Sequence, residues 1–518
     1  MLGPSVRRRF SRSMFVSLFA LVAAVVTLQH QSQQQQGHGI FARAQSSGSD
    51  SNSTSLADGC VTDYDEAEGV DYFSDKANVS YAETFTVEYF NSYKVLTITS
   101  ATYGSATYVL YQCGTNKPDL DVDVQLYVSI PVTRVATGTP DHIPRIELLG
   151  QRDTIVAYTG DTTLIGSPCA DALVANGTIT EATTTDATCG TVADNDVLID
   201  LDVNVTFSDN LLVAHYCENP TLGELHNGVA IYSFEETGET SGLGEGEHIK
   251  LFSLFYNEEA AATEIFDEIV ALWDCTVNNA EGCSLLLNNV PSVAWFPYVP
   301  TDPASVDYQA GWFAPIDDVY YAYAIENAKG LMLTCAGQTD YSFMSDDEML
   351  DCFESASVCI FAADYVEVQS EMNSTALEQL ACVQNERVYD ITLSGINAWF
   401  EAKTVEPHVL IEDIVVVLHG DDFNYGIGDY ERLLLRNVFT EESESGTYFP
   451  DEGSCDDPDA ALEIQGECDI IIDFNTCADV ESDGASPATR NVVVSWATTT
   501  TFVAMCSVFT AAAAAVTV

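Results

Sequence analysis

The sequence predicts an α/β protein in which two α/β lobes are joined by one long helix and preceded by an opening β-hairpin segment. Strand-like and helix-like patterns alternate both before and after residues 247–275, as in α/β folds. Within residues 247–275, apolar side chains recur at steps of three and four without Gly or Pro, which predicts one amphipathic helix. Segments of alternating polarity from Tyr93 onward predict the hairpin.

The N-terminus has the properties of a secretory signal peptide, which we assign to residues 1–44. Several arginines precede the apolar run 14–28, and Ala42-Arg43-Ala44 offers a small-x-small cleavage site. The run has the length of a signal sequence and is short for a membrane span, although an uncleaved anchor is the alternative. Residues 29–59 are rich in Gln, Ser, Gly and Asn, and residues 45–63 are predicted to be a low-complexity linker.

The N-terminal lobe is assigned to residues 64–246. After the opening strands, the pattern changes to strand, loop and helix, with turn residues between the elements. Strands are predicted at 93–100, 106–113, 124–132, 132–136, 154–159, 211–217 and 228–234, and helices at 141–149 and 169–177.

Alternation resumes after the linking helix, in a C-terminal lobe assigned to residues 276–440. It includes an almost wholly apolar final helix. Strands are predicted at 293–298 and 358–363, and helices at 320–329, 374–383 and 409–418.

The C-terminal part of the chain is predicted to contain a stalk and an anchor signal. Residues 441–490 are acidic and contain three cysteines, which predicts a small tethered stalk. Residues 491–518 are uncharged and mostly apolar, and they follow small residues and a short polar spacer. This order is typical of a GPI attachment signal. A transmembrane span is the alternative, but no basic residue follows the tail.

The net charge excludes one class of partner, and the cysteines predict disulfides. The chain has 18 basic and 79 acidic residues, a net charge of −61, which argues against nucleic-acid binding because phosphates would be repelled. Fifteen cysteines together with a secretory signal predict disulfides. Local pairs Cys275–Cys283 and Cys352–Cys359 are the simplest guesses. N-glycosylation sequons occur at Asn52, Asn78, Asn176, Asn204 and Asn373.

The order of several motifs resembles one protein family. These are FTVEYFNSYKVLTI at 85–98, YVLYQCGT at 108–115, VTRVATGTPDHIPRIELLG at 132–150, ETSGLGEGEHIKLFSLFYNEEAAATEIFDEI at 239–269, NERVYD at 385–390 and INAWFEAKTVEPHVLIEDIVVVLHGD at 396–421. Together they resemble the periplasmic substrate-binding proteins of ABC importers, of the ferric-siderophore and cobalamin type with a helical backbone between lobes.

This resemblance covers roughly residues 64–439 and implies a function. We expect a non-enzymatic, monomeric binding protein that captures a ferric siderophore, haem or a cobalamin-like compound between its lobes. Iron or cobalt would arrive with the ligand, and the protein itself would need no cofactor. A membrane permease or uptake receptor is the implied partner. The signal, sequons and tail place it on the extracellular face of the plasma membrane.

Candidate ligand-binding residues follow the predicted strands, because ligands of open α/β sheets lie beyond the carboxyl ends of strands. The guanidinium groups of Arg134 and Arg145 are further candidates for meeting an anionic chelate. The candidates are Thr137, Thr139, His142, Tyr158, His215 and Tyr216 in the N-terminal lobe, and Trp312, Tyr320 and Arg387 in the C-terminal lobe.

Three alternatives remain open at this point. His142, His215 and an oxygen ligand from the other lobe could bind iron or zinc directly. The chain could also be an acidic surface glycoprotein that binds no ligand. A secreted hydrolase is the third alternative, although the sequence lacks G-x-S-x-G, H-E-x-x-H, P-loop and dinucleotide-binding motifs. The acidic runs at 119–123 and 456–459 lack the spacing of a calcium loop.

Overall fold

A computed structural model describes the architecture of most of the chain between residues 59 and 468. All described residues lie in one compact unit, Thr54–Val518. The described residues are 59–100, 104–186, 190–209, 226–231, 238–287, 290–296, 298–299, 311–313, 319–335, 343–371, 374–419, 431–446, 448–449, 455, 461–466 and 468.

The predicted hairpin segment forms a four-stranded sheet. Its strands run in the order β1-β2-β3-β4, with antiparallel pairing except between β3 and β4, which are parallel. Cys60–Cys113 joins the start of the described chain to the residue after β3. The strands are β1 (Phe85–Tyr89), β2 (Tyr93–Ser100), β3 (Gly104–Gln112) and β4 (Leu126–Ile130).

The N-terminal half contains a parallel five-stranded sheet of order β11-β10-β5-β6-β7. Strand β10 is not among the strands that the sequence pattern predicts, and the predicted strand 211–217 lies outside the described residues. The elements are β5 (Val135–Thr137), α1 (His142–Leu148), β6 (Ile155–Tyr158), α2 (Pro168–Ala175), β7 (Thr180–Glu181), β8 (Thr183–Asp186), β9 (Gly190–Ala193), α3 (Asn195–Asp200), β10 (Val205–Asp209) and β11 (Gly228–Ile231).

The predicted linking helix is divided in two. Helix α4 (Gly242–Tyr256) ends at Asn257, whose backbone is left-handed with φ 59°, and helix α5 (Glu259–Leu287) then runs for 29 residues. A long helix is therefore confirmed, but one continuous helix over 247–275 is wrong. Helix α5 still joins the two halves. Phe266 packs in the core of the N-terminal half, and Trp273 packs in the core of the C-terminal half.

The break between α4 and α5 is held by a residue distant in sequence. Lys94 on β2 is fully buried and donates to the Leu254 carbonyl and the Asn257 side chain, each at 2.8 Å. Its ammonium group lies 2.5 Å from the Glu259 carboxylate. The amphipathic pattern continues through residue 257, so periodicity alone does not show this break.

A second five-stranded sheet organises the C-terminal half, in the order β15-β12-β17-β18-β19. All its pairs are parallel except the edge pair β18 and β19, and the predicted α/β class is confirmed. The elements are β12 (Ser292–Phe296), β13 (Tyr298–Val299), β14 (Gly311–Phe313), α6 (Val319–Asn327), β15 (Leu331–Met332), β16 (Phe343–Met344), α7 (Asp346–Phe353), β17 (Val358–Phe361), α8 (Tyr365–Glu371), α9 (Ser374–Leu377), α10 (Ala381–Gln384), β18 (Val388–Asp390), α11 (Ile396–Val405), α12 (Pro407–His419) and β19 (Arg436–Asn437).

The disulfides differ from the local pairs that the sequence suggests. Cys275 is bonded to Cys468, not Cys283. Cys352 is bonded to Cys335 and Cys359 to Cys382, so the pair Cys352–Cys359 is also wrong. Sequence spacing could not reveal these partners because the fold, rather than proximity along the chain, brings the cysteines together.

The predicted stalk is not a separate element where the structure describes it. Cys455 is bonded to Cys169 in α2, and Leu462 and Ile464 pack against the cores of both halves. This part of the segment 441–490 therefore lies on the body of the protein. In the described part of the chain, no helix is both long and apolar enough to cross a membrane, and the predicted signal and anchor segments lie outside that part.

Candidate functional site

The carboxyl ends of β5 and β6 form one edge of the N-terminal sheet. Thr137 and Tyr158 are paired in register at the ends of these strands. The loops that follow touch each other, since an ideal Cβ on Gly160 would lie 2.3 Å from the Gly138 carbonyl oxygen. Only glycine fits this approach, and the two loops therefore form one continuous rim.

Three of the predicted residues meet directly behind this rim. The Thr137 hydroxyl lies 3.0 Å from His142 Nδ1 and donates to the Thr139 carbonyl at 3.3 Å. Phe207 and Phe252 cover the His142 ring. Burial lowers the pKa of His142 to about 4, although neighbouring Asp141 partly offsets this effect. His142 is therefore neutral at pH 7. The residue is 2% exposed.

Tyr158 lies beside the same rim, and its side chain is 1% exposed. Its hydroxyl oxygen has no hydrogen-bond partner among the residues that the structure describes. An ideal Cβ on Gly160 would lie 3.0 Å from this oxygen. Burial raises the pKa of Tyr158, and the nearby carboxylates of Glu401 and Asp141 raise it further. The side chain is thus a neutral donor at the sheet edge.

The segment after β6 contacts the C-terminal half. The Gly166 N–H donates to Glu401 Oε1 at 2.6 Å, and the Asn397 side-chain amide donates to the Thr163 carbonyl at 2.9 Å. Glu401 and Asn397 both lie on α11. Burial raises the pKa of Glu401 well above its ordinary value. The edge formed by β5 and β6 therefore lies at the boundary between the two halves.

Arg145 on α1 is the central cation at this boundary. Its guanidinium donates to the Asp141 carboxylate at 2.9 Å, to Glu245 at 3.4 Å and to the Thr404 carbonyl of α11 at 3.2 Å. Burial by itself would raise the pKa of Asp141, but His142, Arg145 and Thr139 outweigh it and lower that pKa to about 2. Arg145 therefore links the two halves through its contacts with two carboxylates and a backbone carbonyl of the protein.

The two other candidate arginines also donate to the protein. Arg134 Nε donates to the Leu201 carbonyl at 2.6 Å. Arg387 donates to the Val417 and Leu418 carbonyls at 2.6 and 3.0 Å, at the end of α12, where a cation also opposes the helix dipole. Both guanidinium groups therefore stabilise local structure by donating to backbone carbonyls.

The remaining candidates are not brought to the rim by any described contact. The Tyr320 hydroxyl donates to the Lys403 carbonyl at 2.7 Å, and its ring packs in the core of the C-terminal half. Trp312 pairs with Tyr298 and Met344 in the three-stranded sheet. His215 and Tyr216 lie outside the described residues. The structure thus brings together Thr137, Thr139, His142 and Tyr158 and leaves the other five untested.

Glu401, Asn397 and Gly160 contribute to the boundary and are not among the predicted residues. Gly160 could have been found, because it directly follows the predicted strand 154–159. Glu401 and Asn397 give no such signal. Their partners are 235 and 234 residues away in sequence, and one acid among 79 is not distinctive.

The described residues offer no metal centre. Among them, no group of three or more His, Cys, Asp or Glu side chains is arranged to hold a metal ion. His215, part of the direct metal-binding alternative, lies outside the described residues.

One cluster has the residue types of a catalytic triad but not its geometry. His248 Nε2 lies 3.0 Å from both the Thr84 hydroxyl and the Glu239 carboxylate. Because the same nitrogen makes both contacts, the ring cannot pass a proton from the hydroxyl to the carboxylate as a triad does. Glu239 also accepts the N–H groups of Glu83 and Thr84. The cluster fastens the chain before β1 to α4.

Comparison with known proteins gives distant structural likenesses. No protein-family model matches the sequence, and no curated protein matches it. The solved structures that are similar include the following three binding proteins. One is a possible iron-binding, periplasmic solute-binding protein from Staphylococcus epidermidis, with 12% identity, a TM-score of 0.39 and coverage of 55% of this chain and 98% of the other.

The second structure is a siderophore-binding protein in complex with two molecules of acinetobactin and ferric iron. It has 13% identity and a TM-score of 0.40, over 62% of this chain and 98% of the other. The third is the periplasmic vitamin B12-binding protein of Vibrio cholerae, with 12% identity and a TM-score of 0.36, over 56% of this chain and 97% of the other. Such distant likenesses do not assign a ligand.

Proposed function

We propose that this protein is an extracellular solute-binding protein that captures a small ligand at the boundary between its two halves. The observation that carries the proposal is that the β5–β6 carboxyl edge, where α/β proteins bind ligands, faces α11 of the C-terminal half. The Tyr158 hydroxyl at this edge supports it, because no described residue bonds to this hydroxyl and a buried polar group normally has a partner.

The proposed ligand is an iron chelate, haem or a cobalamin-like compound. The similar structures suggest these probes, since their names include iron, a ferric siderophore and vitamin B12. Thr137, Thr139, His142, Tyr158, His215, Tyr216, Trp312, Tyr320 and Arg387 stay the proposed contact residues. A membrane permease or uptake receptor is the proposed partner.

We also propose that the mature chain is glycosylated and GPI-anchored at the cell surface. Asn78, Asn176 and Asn204 are exposed, as glycan attachment requires. Release from membranes by phosphatidylinositol-specific phospholipase tests the anchor, and retention after treatment would favour a transmembrane segment.

The proposed function is tested by calorimetric titration and thermal melting of the mature protein with ferric hydroxamate and catecholate chelates, haemin, cyanocobalamin and iron(III) alone. We expect at least one chelate or tetrapyrrole to raise the melting temperature. Ligand at a hundred times Kd stabilises the folded state by about 2.7 kcal/mol. A response to iron(III) alone would instead indicate direct metal binding.

Tyr158→Phe separates ligand binding from structure. Removing a buried, unpartnered hydroxyl should raise the free energy of unfolding of the free protein by about 1 kcal/mol. If that hydroxyl donates to the ligand, affinity should fall about tenfold.

Tyr256→Phe is the matched control for this variant. Its hydroxyl contacts the Thr154 hydroxyl at 3.1 Å in the core of the N-terminal half. The control should lower stability by about 1 kcal/mol and leave affinity unchanged. Equal ligand affinities for Tyr158→Phe and wild type would show that the Tyr158 hydroxyl does not contact the ligand. If no probe changes the melting temperature, the proposed function is contradicted.

A second candidate function is an acidic surface glycoprotein without a ligand. The observation that favours it is that His142, Tyr320 and Arg387 are already bonded within the chain. If none of the probes binds in the titration or raises the melting temperature, this candidate is supported.

A further inference from the structure

A short C-terminal stretch, here called the clasp, lies across both halves of the protein. The clasp consists of Tyr448, Phe449, Cys455, residues 461–466 and Cys468. Cys455 is bonded to Cys169 in α2 of the N-terminal half, 286 residues away. Cys468 is bonded to Cys275 in α5, 193 residues away. Both disulfides fasten the clasp to elements far from it in sequence.

Between the two disulfides, the clasp contacts the N-terminal half. The Leu462 N–H donates to the Glu147 carbonyl at the end of α1, at 3.2 Å. Leu462 and Ile464 are half-buried and pack against both hydrophobic cores. The same short stretch therefore buries apolar surface on each side of the boundary.

Two residues of the clasp, Tyr448 and Gln465, bind a buried carboxyl group of the C-terminal half. Glu406, between α11 and α12, is fully buried. Its Oε1 accepts the Gln465 N–H at 2.6 Å, and its Oε2 accepts the Tyr448 hydroxyl. His408 Nε2 donates to the Gln465 carbonyl at 2.6 Å. The backbone of Gln465 is thus held on both sides.

No cation pairs with Glu406 in the described part of the chain. Burial raises the pKa of Glu406 to about 7, and its hydrogen bonds to Tyr448 and Gln465 only partly offset this. Burial lowers the pKa of His408 to about 4, so His408 is also neutral. Among the described residues, the titratable groups that act on Glu406 or Tyr448 are Glu268 on α5, His408 and Glu412 on α12, Glu401 on α11 and Glu147 on α1, and Asp413 acts on Glu412.

We propose that the clasp is a proton-dependent lock, which holds the two halves together while Glu406 is protonated and loosens when Glu406 loses its proton. Ionisation would place a negative charge among other acids, beneath the clasp, with two hydrogen bonds but no described cation to compensate it. The disulfides keep the loosened clasp attached. The lock is a property of the folded chain and does not depend on the proposed ligand.

The direction of the pH effect follows from linkage. A carboxyl group that titrates near 7 in the closed state and at its ordinary value of 4.5 when exposed favours closure at low pH. Its contribution is complete below 4.5 and is lost as pH rises to about 7. When the clasp opens, His408 becomes exposed and gains a proton below its ordinary pKa of 6.5. This favours opening at low pH and partly cancels the effect of Glu406 in wild type. A variant at Glu406 is therefore needed to isolate the contribution of Glu406.

The test compares hydrogen exchange of the Gln465 and Gly166 amides in the full, disulfide-bonded chain and in Glu406→Gln, from pH 4.5 to 8. Comparison at equal pH cancels the intrinsic exchange chemistry. We expect equal protection at pH 4.5, and at pH 7.5 about a hundredfold lower protection in wild type than in Glu406→Gln at both amides. Glu463→Gln, which neutralises an exposed acid of the clasp, should behave as wild type.

The two amides distinguish loosening of the boundary between the halves from loosening of the clasp alone. The Gly166 N–H bonds to Glu401 across the boundary and does not contact the clasp. Parallel loss of protection at Gly166 and Gln465 supports the lock. Loss at Gln465 alone, or no difference between wild type and Glu406→Gln, would overturn it. If Glu406→Gln does not fold, His408→Gln, which removes the opposing histidine, takes its place. Protection at both amides, corrected for intrinsic exchange, should then fall about a hundredfold between pH 4.5 and 7.5, and no fall, or a fall at Gln465 alone, would overturn the proposal.

Discussion

Lys94→Ala is expected to lower the free energy of unfolding by about 3 to 5 kcal/mol, the cost of breaking a buried ion pair by removing one partner. Lys94 and Glu259 are 0% and 3% exposed, with 2.5 Å between the ammonium and carboxylate groups. The substitution leaves the Glu259 carboxylate buried without its cation. The Leu254 carbonyl and the Asn257 side chain lose the same donor.

Chemical denaturation measures this effect, and Lys76→Ala is the matched control. Lys76 pairs with Asp71 at 2.7 Å, but the two side chains are 46% and 29% exposed. Its removal should cost no more than about 1 kcal/mol. The double variant Lys94→Met with Glu259→Gln, which removes both charges, should recover much of the lost stability. If Lys94→Ala and Lys76→Ala cost the same, the pair does not hold the α4–α5 break.

Arg145→Ala is expected to lower the free energy of unfolding by a similar amount, about 3 to 5 kcal/mol. The variant leaves Asp141 and Glu245 without their shared cation, and Glu245 is buried. It also removes the donor to the Thr404 carbonyl, which crosses the boundary between the halves. Stability and boundary contacts should therefore be lost together.

Arg134→Ala is the matched control, since that guanidinium is half-buried and donates to a backbone carbonyl within the N-terminal half. We expect it to cost about 1 kcal/mol. Proteolysis of the segment 159–168 under native conditions gives a second readout. It should be faster in Arg145→Ala than in Arg134→Ala, and equal rates would show that Arg145 does not secure the boundary.

The α/β architecture could be predicted because local patterns determine it. The strand endings at Thr137 and Tyr158, the helices that follow them and the apolar helix α12 all agree with their sequence patterns. The break at Asn257 could not be predicted, because the amphipathic pattern continues through it and Lys94 comes from another part of the chain. Strand β10 has only a short stretch of strand-forming residues and is not predicted.

The site was partly predictable for the same reason. Thr137, Thr139 and His142 follow one strand, so strand order alone brings them together. Glu401 could not be predicted from sequence, because its position depends on how α11 packs on the opposite half. The clasp was also missed. Acidic, cysteine-containing sequence indicates a stalk, whereas distant partners hold Cys455 and Cys468 on the body.

The central claim, ligand capture at the β5–β6 edge, is tested most directly by difference hydrogen exchange between the free protein and the protein saturated with whichever probe binds. We predict protection of the amides in the loops 137–141 and 159–166 and at the start of α11, because these surround the boundary. Protection confined to other parts of the chain, with these three segments unchanged, would contradict the claim.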